Sequence, residues 1–272
     1  MAIVDIRSVI YQIGFSALRA FWHMNGARHI TAFGYRYRFT PDTIFPSYRH
    51  LRLPEGEYKS RIVRYADFVQ FHSVFRYVCK FKNSPNIIDI GAHHGAYTVV
   101  LGKVVKERGG RVIAVEPNPD SYNVLKENIR LNDLEHTVII QQVAVLDTPG
   151  FASIEIEGSQ SHITAKQSPL KVEVKTLTQL MTQYNMENVD LLIIDVEGAE
   201  LPVLNGFPWK LLKPGKIFCE LHPYAWKDFG YNGEDLRVFL EEHKYRCIDM
   251  YLHEHESFDQ TSYIGPCLFI PK

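Results

Sequence analysis

The fold is decided by residues 87–98, which read Ile-Ile-Asp-Ile-Gly-Ala-His-His-Gly-Ala-Tyr-Thr. The apolar run at the start of this stretch is typical of a buried parallel strand, and a helix is predicted from Tyr97 onward. Gly91 and Gly95 let the backbone turn tightly and approach a ligand without a Cβ in the way. The helix that follows presents free backbone N–H groups toward a polar or anionic ligand. The stretch therefore predicts a strand, a ligand-binding turn and a helix.

Apolar runs and helical periodicities alternate through the rest of the chain. Strands that alternate with helices build a largely parallel sheet with helices on both faces, which is an α/β fold. In such a sheet, ligands bind at the carboxyl ends of the strands. The predicted strands are 87–90, 111–115, 138–145, 190–195 and 216–220, and the predicted helices are 97–106, 120–131, 177–184, 200–205 and 236–243.

Two further pairs of segments alternate apolar with polar residues. Residues 151–156 and 172–174 predict a small antiparallel excursion from the main sheet. Residues 246–251 and 267–270 predict an antiparallel pair that closes the sheet. These pairs make the predicted sheet mostly, rather than entirely, parallel.

The first 85 residues have a different pattern from the rest. Residues 1–24 predict an amphipathic helix on the body of the protein, because charged residues interrupt the apolar run that a membrane span or signal peptide needs. The alternative is a helix on a membrane surface. Residues 30–60 look irregular, and 58–81 predict a helix. We predict two parts: residues 1–85, a helical extension that acts as a lid, and residues 86–272, the catalytic domain.

Composition and charge narrow the function classes. The 272 residues are 46% hydrophobic and 22% charged, which excludes a disordered chain. The net charge is −1, so no global basic excess attracts nucleic acid or an anionic membrane. Neither nucleic acid nor stable membrane insertion is predicted, and the oligomeric state is left open. The four cysteines form no CxxC pair, and reduced thiols would fit a cytoplasmic location.

The ligand of the glycine turn is narrowed by what its sequence lacks. A dinucleotide-binding turn has the pattern G-x-G-x-x-G, whereas His93 stands at the second glycine position. No Gly-Lys-Ser/Thr ending of a nucleotide triphosphate loop is present. A nucleoside ligand without pyrophosphate remains, namely S-adenosylmethionine, with Asp89 near its ammonium group. The alternative is a strand–helix turn that binds nothing.

A carboxylate follows the second predicted strand. Glu116 stands in Val-Glu-Pro-Asn-Pro (115–119), about 20 residues past the turn, where an acid can accept hydrogen bonds from both ribose hydroxyls. The alternative is a solvated acid at the start of a turn. Together with the glycine turn, Glu116 predicts a nucleoside site.

The chain resembles the FkbM family of S-adenosylmethionine-dependent methyltransferases over about residues 87–222. The resemblance implies a Rossmann-like class I methyltransferase fold, with a mostly parallel seven-stranded sheet and helices on both faces. It also implies O-methylation of a hydroxyl on a sugar, a glycolipid or a natural product. The segments that carry it are Asp-Ile-Gly-Ala-His-His-Gly-Ala-Tyr-Thr (89–98), Val-Glu-Pro-Asn-Pro (115–119), Glu-Asn-Ile-Arg-Leu-Asn (127–132), Val-Ala-Val (143–145), Ile-Asp-Val-Glu-Gly-Ala-Glu (194–200) and Glu-Leu-His (220–222).

Two positions depart from the family pattern. Ile193 stands where the family often has lysine, and residues 177–180 lack the aspartate of a Leu-Asp-x-Leu segment. Neither departure touches the glycine turn or Glu116, so they concern the acceptor more than the cofactor. The predicted cofactor-binding residues are Asp89, Gly91, Ala92, His93, Gly95, Thr98, Glu116, Pro117, Asn118, Ala144 and Asp195.

The acceptor side is predicted at the ends of the fourth and fifth strands. An aliphatic hydroxyl is a poor nucleophile, so a base or a metal has to take its proton. Asp195, Glu197, Glu220 and His222 are the predicted catalytic residues. No metal is predicted, although Asp195, Glu220 and His222 offer the oxygen and nitrogen ligands of a divalent cation as an alternative.

Some neighbouring residues have simpler interpretations. Glu197 and Glu200 are acids that could cap a helix N-terminus, and His222 could be structural. Tyr224 and Trp226 are predicted either to wall an acceptor pocket or to pack in the core. His93 and His94 flank the cofactor turn, and His253 and His255 lie in a polar segment that predicts a solvated turn.

The sequence thus predicts a cytoplasmic methyltransferase that acts on a hydroxyl of a small or glycan acceptor. The alternative is a nucleotide-binding oxidoreductase or a non-catalytic binding module on the same scaffold, since fold alone does not separate them. No third glycine completes the G-x-G-x-x-G pattern of a dinucleotide-binding turn. This absence and the Asp-Val-Glu-Gly segment (195–198) favour the methyltransferase. Within that class, N- or C-methylation, including that of RNA, is the other possibility, and the absence of a basic stripe argues against RNA.

Overall fold

The structure is a computed structural model. The predicted helix at 1–24 and most of the one at 58–81 lie outside the residues that it describes, and of the latter only 73–78 is seen as a helix. The described residues are 27–40, 42–43, 73–81, 83–157, 160–164, 170–250, 252–258 and 265–272.

The strands of the described residues form a hairpin and two larger sheets. They are β1 (Arg28–Ala32), β2 (Tyr35–Phe39), β3 (Asn86–Ile90), β4 (Arg111–Val115), β5 (Val138–Gln141), β6 (Ala144–Val145), β7 (Gly150–Glu157), β8 (Gln160–Thr164), β9 (Lys171–Lys175), β10 (Leu191–Ile194), β11 (Lys216–Leu221), β12 (Tyr245–Asp249), β13 (Glu254–His255) and β14 (Gly265–Pro271).

The helices follow the strands in the alternation that the sequence predicts. Capping side chains define several of them: Asn118 caps the helix after β4, and Thr176 and Asn232 each form a capping box. The helices are α1 (73–78), α2 (Ala96–Glu107), α3 (Pro119–Leu131), α4 (Leu177–Gln183), α5 (Glu200–Asn205) and α6 (Gly233–Glu242), with a 3₁₀ turn at Trp226–Phe229.

The large sheet confirms the predicted fold class. Its strand order is β5-β4-β3-β10-β11-β14-β12, and the two-residue strand β13 extends the β12 edge. The first five strands in this order are parallel, and β14 runs antiparallel between β11 and β12. The seven predicted strands are therefore present, and β14 with β12 forms the predicted closing pair.

Each central strand is buried on both faces. Ile87 belongs to a core cluster with residues of α2 and α3, whereas the next residue, Ile88, belongs to a second cluster with residues of α4, α5 and α6. Successive side chains of a strand point to opposite faces of the sheet, so helices cover both faces. This is why the strands appear in the sequence as continuous apolar runs.

The chain order opens a crevice above the middle of the sheet. From β3 the chain moves outward to β4 and β5, then returns to β10 on the other side of β3. The segments that leave the carboxyl ends of β3 and β10 therefore diverge, which is where α/β sheets bind ligands.

One predicted strand is in fact two. Residues 138–145 were expected to be continuous, but β5 pairs with β4 in the large sheet, and β6 pairs with β9 in a smaller sheet. The chain changes sheets at residues 142–143, and the smaller sheet has the order β6-β9-β7-β8. The antiparallel pairing of β7 with β9 confirms the predicted excursion.

A β-hairpin occupies part of the segment that was expected to be irregular. β1 and β2 pair antiparallel from Arg28–Phe39 to Ala32–Tyr35, with a turn at Phe33 and Gly34. Tyr37 and Phe39 are fully buried in the same core cluster as α2 and α3. The hairpin corrects the expectation for residues 30–39, since its buried aromatic residues alternate with exposed arginines.

Asn128 of α3 and Asn132, the C-cap residue that follows it, attach this hairpin to the domain. The Asn132 side chain accepts a hydrogen bond from the Arg38 amide at 3.0 Å and donates to the Arg38 carbonyl at 2.6 Å. Asn128 accepts from the Thr40 amide at 2.7 Å and donates to the Thr43 hydroxyl at 2.8 Å and to the His94 carbonyl at 2.7 Å. Asn128 therefore links the end of the hairpin segment directly to the glycine turn.

In the part of the chain that the structure describes, no helix is both long enough and apolar enough to span a membrane.

Candidate active site

The glycine turn is held between the ends of β4 and β10. The amides of Gly91 and Ala92 donate to the Val115 carbonyl at 3.0 and 2.9 Å. Gly91 has a φ of +83°, and a Cβ at this position would lie 1.7 Å from the Asp195 carbonyl oxygen. Glycine is therefore required here both by the left-handed backbone and by the neighbouring strand.

The end of the turn leaves the α2 N-terminus open. Gly95 is the N-cap residue, and it has no side chain with which to cap the first turn of α2. Free N–H groups at a helix N-terminus favour a polar or negatively charged ligand. The turn thus has the features of a ligand cradle that the sequence predicts.

Glu116 is buried beside the turn, where the sequence predicts a ribose-binding acid. Its Oε2 accepts from the His93 amide and its Oε1 accepts from the Asn118 amide, both at 2.8 Å. Each carboxylate oxygen keeps a further lone pair for a ligand hydroxyl. Burial raises the pKa of Glu116 to about 7, although the two amide hydrogen bonds lower it.

This pKa predicts a pH dependence of cofactor binding. If Glu116 accepts hydrogen bonds from ribose hydroxyls, as the sequence predicts, the ionised carboxylate is the binding form, and we expect the affinity for S-adenosylhomocysteine to be full well above pH 7. Below pH 7 the affinity should fall, approaching about tenfold per pH unit if only the ionised form binds. Calorimetric titration between pH 8 and 5.5 measures this, and a flat profile in the wild-type protein would contradict it.

The matched variant for this experiment is Glu116→Gln, which keeps the shape of the side chain but cannot ionise. We expect weak binding with a flatter pH profile, since other titrating groups remain. The free protein should respond in the opposite direction. Because the folded pKa of Glu116 lies above its ordinary value, the ligand-free protein loses stability as the pH rises from about 4.5 toward 7.

The remaining predicted cofactor residues lie around this turn or beyond it. Asp89 is buried at the end of β3 and accepts a hydrogen bond from the Thr98 hydroxyl, and burial raises its pKa to about 6. Pro117 follows Glu116 and is half-buried. Ala144 lies in β6 with its side chain in the core of the smaller sheet, so only its backbone is available to a ligand.

The predicted catalytic residues Asp195, Glu197 and His222 converge at the neighbouring strand ends. His222 Nε2 lies 3.9 Å from Asp195 Oδ1 and 3.4 Å from Glu197 Oε2. We call these three residues the carboxylate–imidazole cluster. Asp195 directly follows β10 and its carbonyl contacts the glycine turn, so the cluster adjoins the predicted cofactor site.

A tight turn brings the cluster together. Glu197 has a φ of +52°, and Gly198 follows with a φ of +110°. A Cβ on Gly198 would lie 2.5 Å from the Ala225 Cβ, so the turn after β10 packs closely against the segment after β11. Only glycine permits this approach, which places Glu197 next to His222.

Burial and the charges of neighbouring side chains together set the pKa values of the cluster. Burial raises the pKa of Asp195 well above its usual value, and the charge of Glu220 raises it further, whereas His222 lowers it. Glu220 is half-buried in β11, and its charge acts on Asp195. Burial alone would lower the pKa of His222, but the hydrogen bond and charge of Glu200 raise it to about 9.

Glu200 is the residue that the sequence underestimated. Its side chain is fully buried and accepts from His222 Nδ1 at 2.7 Å, from Trp226 Nε1 at 2.9 Å and from the Tyr231 hydroxyl at 2.8 Å. It also accepts from the Gly198 amide at 3.0 Å. Glu200 does stand in the first turn of α5, as a capping acid would, but it also orients the imidazole. Only its position three residues after Glu197 hinted at a role.

The two predicted pocket aromatics have different environments. Trp226 is completely buried and stacks on Tyr231, so it is a core residue. Tyr224 is 59% exposed and donates its hydroxyl to Glu197 Oε2 at 2.8 Å. Of the two, only Tyr224 is available to an acceptor.

The other histidines lie outside the cluster. The rings of His93 and His94 stack at 4.0 Å, with His94 buried. Asp249 lies 3.0 Å from His255 Nε2 and 3.3 Å from His253 Nδ1 at the β12–β13 edge. His253 is largely exposed, but Glu254 and His255 pair with β12 as β13, so the segment predicted as a solvated turn is in part a short strand.

One group of acidic and histidine side chains within the described ranges has ligand atoms close enough to share a metal ion. Asp195, Glu197 and His222 each offer one atom, and these atoms lie within 4.8 Å of one another. The sequence alternative for a cation named Glu220 in place of Glu197. The segments after β10 and β11 therefore bring together Asp195 and His222 of that alternative, with Glu197 in place of Glu220.

Comparison with known protein families shows which family this chain belongs to. The sequence profile described as "Methyltransferase FkbM domain" matches residues 89–247, more than half of the chain. The chain belongs to the FkbM methyltransferase family. This confirms the resemblance and S-adenosylmethionine as the cofactor. The buried Glu116 carboxylate, the glycine cradle and the open α2 N-terminus fit that cofactor.

Curated relatives of this FkbM methyltransferase are distant. It is 25% identical to "Methyltransferase sdnD" from Sordaria araneosa, over 50% of this chain and 66% of that protein. It is 24% identical to "Hexuronic acid methyltransferase AglP" from Haloferax volcanii, over 62% of this chain and 67% of that protein. The match thus spans about two thirds of the curated relatives, and slightly less for sdnD.

Solved structures of similar proteins are also distant. A methyltransferase FkbM from Methylobacillus flagellatus is 18% identical with a TM-score of 0.48, over 76% of this chain and 51% of that chain. An O-methyltransferase from Bacillus cereus in complex with SAH is 17% identical with a TM-score of 0.43, over 76% of this chain and 80% of that chain. The fold class of this FkbM methyltransferase rests on its own strand order.

Proposed function

We propose that this FkbM methyltransferase transfers a methyl group from S-adenosylmethionine to a hydroxyl group of a sugar, glycolipid or natural-product acceptor. One observation carries the proposal. The carboxylate–imidazole cluster begins at Asp195, whose backbone contacts the glycine turn at Gly91. Groups that can accept a hydroxyl proton therefore adjoin the place where the methyl donor binds.

Each part of the site has a role in this proposal. S-adenosylmethionine supplies an electrophilic methyl group on its sulfonium. Glu116 accepts hydrogen bonds from the ribose, and the glycine turn and Asp89 hold the amino-acid end. Asp195, Glu197, Glu220 and His222 place the acceptor oxygen and take up its proton, and alignment of oxygen and methyl supplies much of the rate.

The acceptor class follows from the groups around the cluster. Asp195 keeps 39% and Glu197 21% of their side-chain surface exposed, so a polar acceptor can reach them. Tyr224 offers an exposed aromatic face, on which a sugar ring stacks well. A curated relative is named as a hexuronic acid methyltransferase, which is compatible with a sugar acceptor.

Two further parts of the proposal concern location and the N-terminal segment. The four cysteines are free thiols, three of them buried, which supports a reducing cytoplasm. We also propose that residues 1–85 contribute to a lid that shields the reaction from water. Deletion of residues 1–50 should then lower acceptor turnover while binding of S-adenosylhomocysteine is retained, which shows that loss of the buried hairpin has not unfolded the domain, and an unchanged rate would exclude the lid.

A methyl-transfer assay on a panel of acceptors tests the function. The panel contains hexuronic acids, neutral hexosides and phenols, with amines and RNA as alternatives, and the product is located by mass spectrometry and NMR. We expect methyl ethers with at least one hydroxyl acceptor. Methylation of an amine, a carbon or RNA, or binding of NAD in place of S-adenosylhomocysteine, would overturn the proposal.

A further inference from the structure

We propose that Asp195, Glu197 and His222 bind a divalent cation, and that this cation holds the acceptor through two adjacent oxygen atoms. The cation site stands on the geometry of the cluster alone. The statement about the acceptor rests on the proposed hydroxyl methylation.

The distances between the imidazole nitrogen and the carboxylate oxygens of the cluster fit atoms that bind one cation together. His222 Nε2 is 3.4 Å from Glu197 Oε2 and 3.9 Å from Asp195 Oδ1, longer than a good hydrogen bond. Two atoms bound to one cation at about 2.1–2.6 Å lie about 3.0–3.7 Å apart when they stand at right angles and about 4.2–5.2 Å apart when they stand opposite each other, so one cation can span both separations. The Asp249 group at the β12–β13 edge differs, because His255 Nε2 is within direct hydrogen-bonding distance of the carboxylate at 3.0 Å.

The imidazole is fixed as a metal ligand would be. Glu200 accepts from Nδ1 of His222, which directs Nε2 toward Asp195 and Glu197. A histidine that binds a metal usually donates its other N–H to a carboxylate or carbonyl in this way. Glu200 lies outside the cluster and is itself fixed by Trp226 and Tyr231. A solvated acid on a helix cap would need no such support.

The carboxylate side of the site is supported as well. The same Glu197 Oε2 that faces His222 accepts from the Tyr224 hydroxyl at 2.8 Å. Hydrogen bonds of this kind orient carboxylate ligands of metals. His222 keeps only 6% of its side-chain surface exposed, whereas Asp195 keeps 39%. The site is therefore closed behind the imidazole and open on the aspartate side, as a catalytic metal site with free positions requires.

The three ligands favour one class of cation, and the free positions of that cation favour one class of acceptor. Two carboxylates and one imidazole suit a hard or intermediate divalent ion such as Mg²⁺ or Mn²⁺, which favours six ligands. Three protein ligands leave positions for two acceptor oxygens and water. A hydroxyl held against the cation loses its proton more readily, and the proton passes to water, because Asp195, Glu197 and His222 then bind the cation and no longer take up the proton themselves. Its oxygen then bonds to the methyl carbon, while the S–C bond breaks and its electron pair stays on sulfur.

Two adjacent oxygens describe a vicinal diol or a 2-hydroxy acid, and the ring of a hexuronic acid carries vicinal diols. A lone hydroxyl would occupy one cation position and leave the acceptor free to rotate. The proposed cation therefore favours acceptors that carry a second oxygen next to the reacting hydroxyl. Hydroxyl methylation without a cation makes no such distinction.

Binding of Mn²⁺ to the full chain, followed by electron paramagnetic resonance after metal removal with EDTA and dialysis, tests the site. We expect one Mn²⁺ per chain. We expect at least tenfold weaker binding in Glu197→Gln, and about 10–100-fold weaker binding in Glu200→Gln. The matched control is Asp249→Asn in the other acidic and histidine group, which should bind Mn²⁺ like the wild type. Binding of S-adenosylhomocysteine within about twofold of wild type shows that Glu197→Gln is folded.

The outcomes separate this inference from the proposed function. Absence of Mn²⁺ binding to the wild type, or equal binding by Glu197→Gln, would overturn the cation site. Full methyl transfer in the presence of EDTA would overturn it while leaving hydroxyl methylation intact. Mn²⁺ binding without turnover of any hydroxyl acceptor would retain the site and overturn the function. With Mn²⁺ bound, a diol should be methylated at least tenfold more efficiently than its monodeoxy analogue, and equal rates would exclude chelation.

Discussion

The Asp195→Asn variant is expected to lose about 10²–10⁴-fold in kcat for methyl transfer. Asp195 joins the glycine turn to the carboxylate–imidazole cluster and is the cluster residue with the most exposed side chain. Asparagine keeps the shape but removes the charge that takes up a proton or binds a cation. Steady-state kinetics at saturating S-adenosylmethionine, together with calorimetry of S-adenosylhomocysteine, measure the effect. The affinity for S-adenosylhomocysteine should change by less than about tenfold.

The same strand supplies the control. Asp190 precedes β10 and accepts from the Asn86 amide at 2.8 Å, so it lies at the opposite end of the strand from Asp195. Asp190→Asn should leave kcat unchanged, because the site lies at the carboxyl end. Equal losses in both variants would indicate damage to the strand. An unchanged kcat in Asp195→Asn would remove Asp195 from the mechanism.

The Gly91→Ala variant is expected to be strongly destabilised. An alanine here combines a left-handed backbone, at about 1–2 kcal/mol, with a Cβ that would lie 1.7 Å from the Asp195 carbonyl. Backbone atoms cannot move aside as a flexible side chain can, so β3 and β10 have to separate. We expect a total loss of about 3–5 kcal/mol, seen as a melting temperature roughly 10 °C lower. Binding of S-adenosylhomocysteine should be lost with it.

Gly34 separates the two contributions. It has a φ of +80°, close to that of Gly91, but no atom lies within 4 Å of a Cβ built there. Gly34→Ala should therefore show only the backbone cost of about 1–2 kcal/mol and retain cofactor binding. If Gly34→Ala and Gly91→Ala were equally destabilised, the contact with the Asp195 carbonyl would be irrelevant.

The elements that the sequence predicts well are those with strictly local causes. β3, β4 and β10 are buried on both faces, so each is visible as an apolar run. Glu116 could be predicted because it directly follows such an apolar run, at a fixed distance from the glycine turn. The hairpin at 28–39 was also visible in principle, as Tyr35, Tyr37 and Phe39 alternate with arginines after a Phe-Gly turn. The prolines nearby obscured it.

The support of the candidate site is different, because it depends on contacts between distant residues. Glu200 meets Trp226 and Tyr231, which are 26 and 31 residues away. No local pattern distinguishes such an acid from one that caps a helix. The same holds for Glu197, whose approach to His222 depends on how closely Gly198 packs against Ala225. Register and packing, rather than residue type, select which carboxylates face the imidazole.

The bonds of Asn128 couple two regions of the chain that are far apart in sequence. This side chain holds the Thr40 amide and the Thr43 hydroxyl on one side and the His94 carbonyl on the other. If occupancy of the glycine turn stabilises its loop, it also favours attachment of the hairpin and of Thr40 and Thr43, which follow it. Thermodynamic reciprocity then requires that the attached segment raise the affinity for cofactor by the same factor. The hairpin and the methyl donor would thus act as mutual effectors through one amide group.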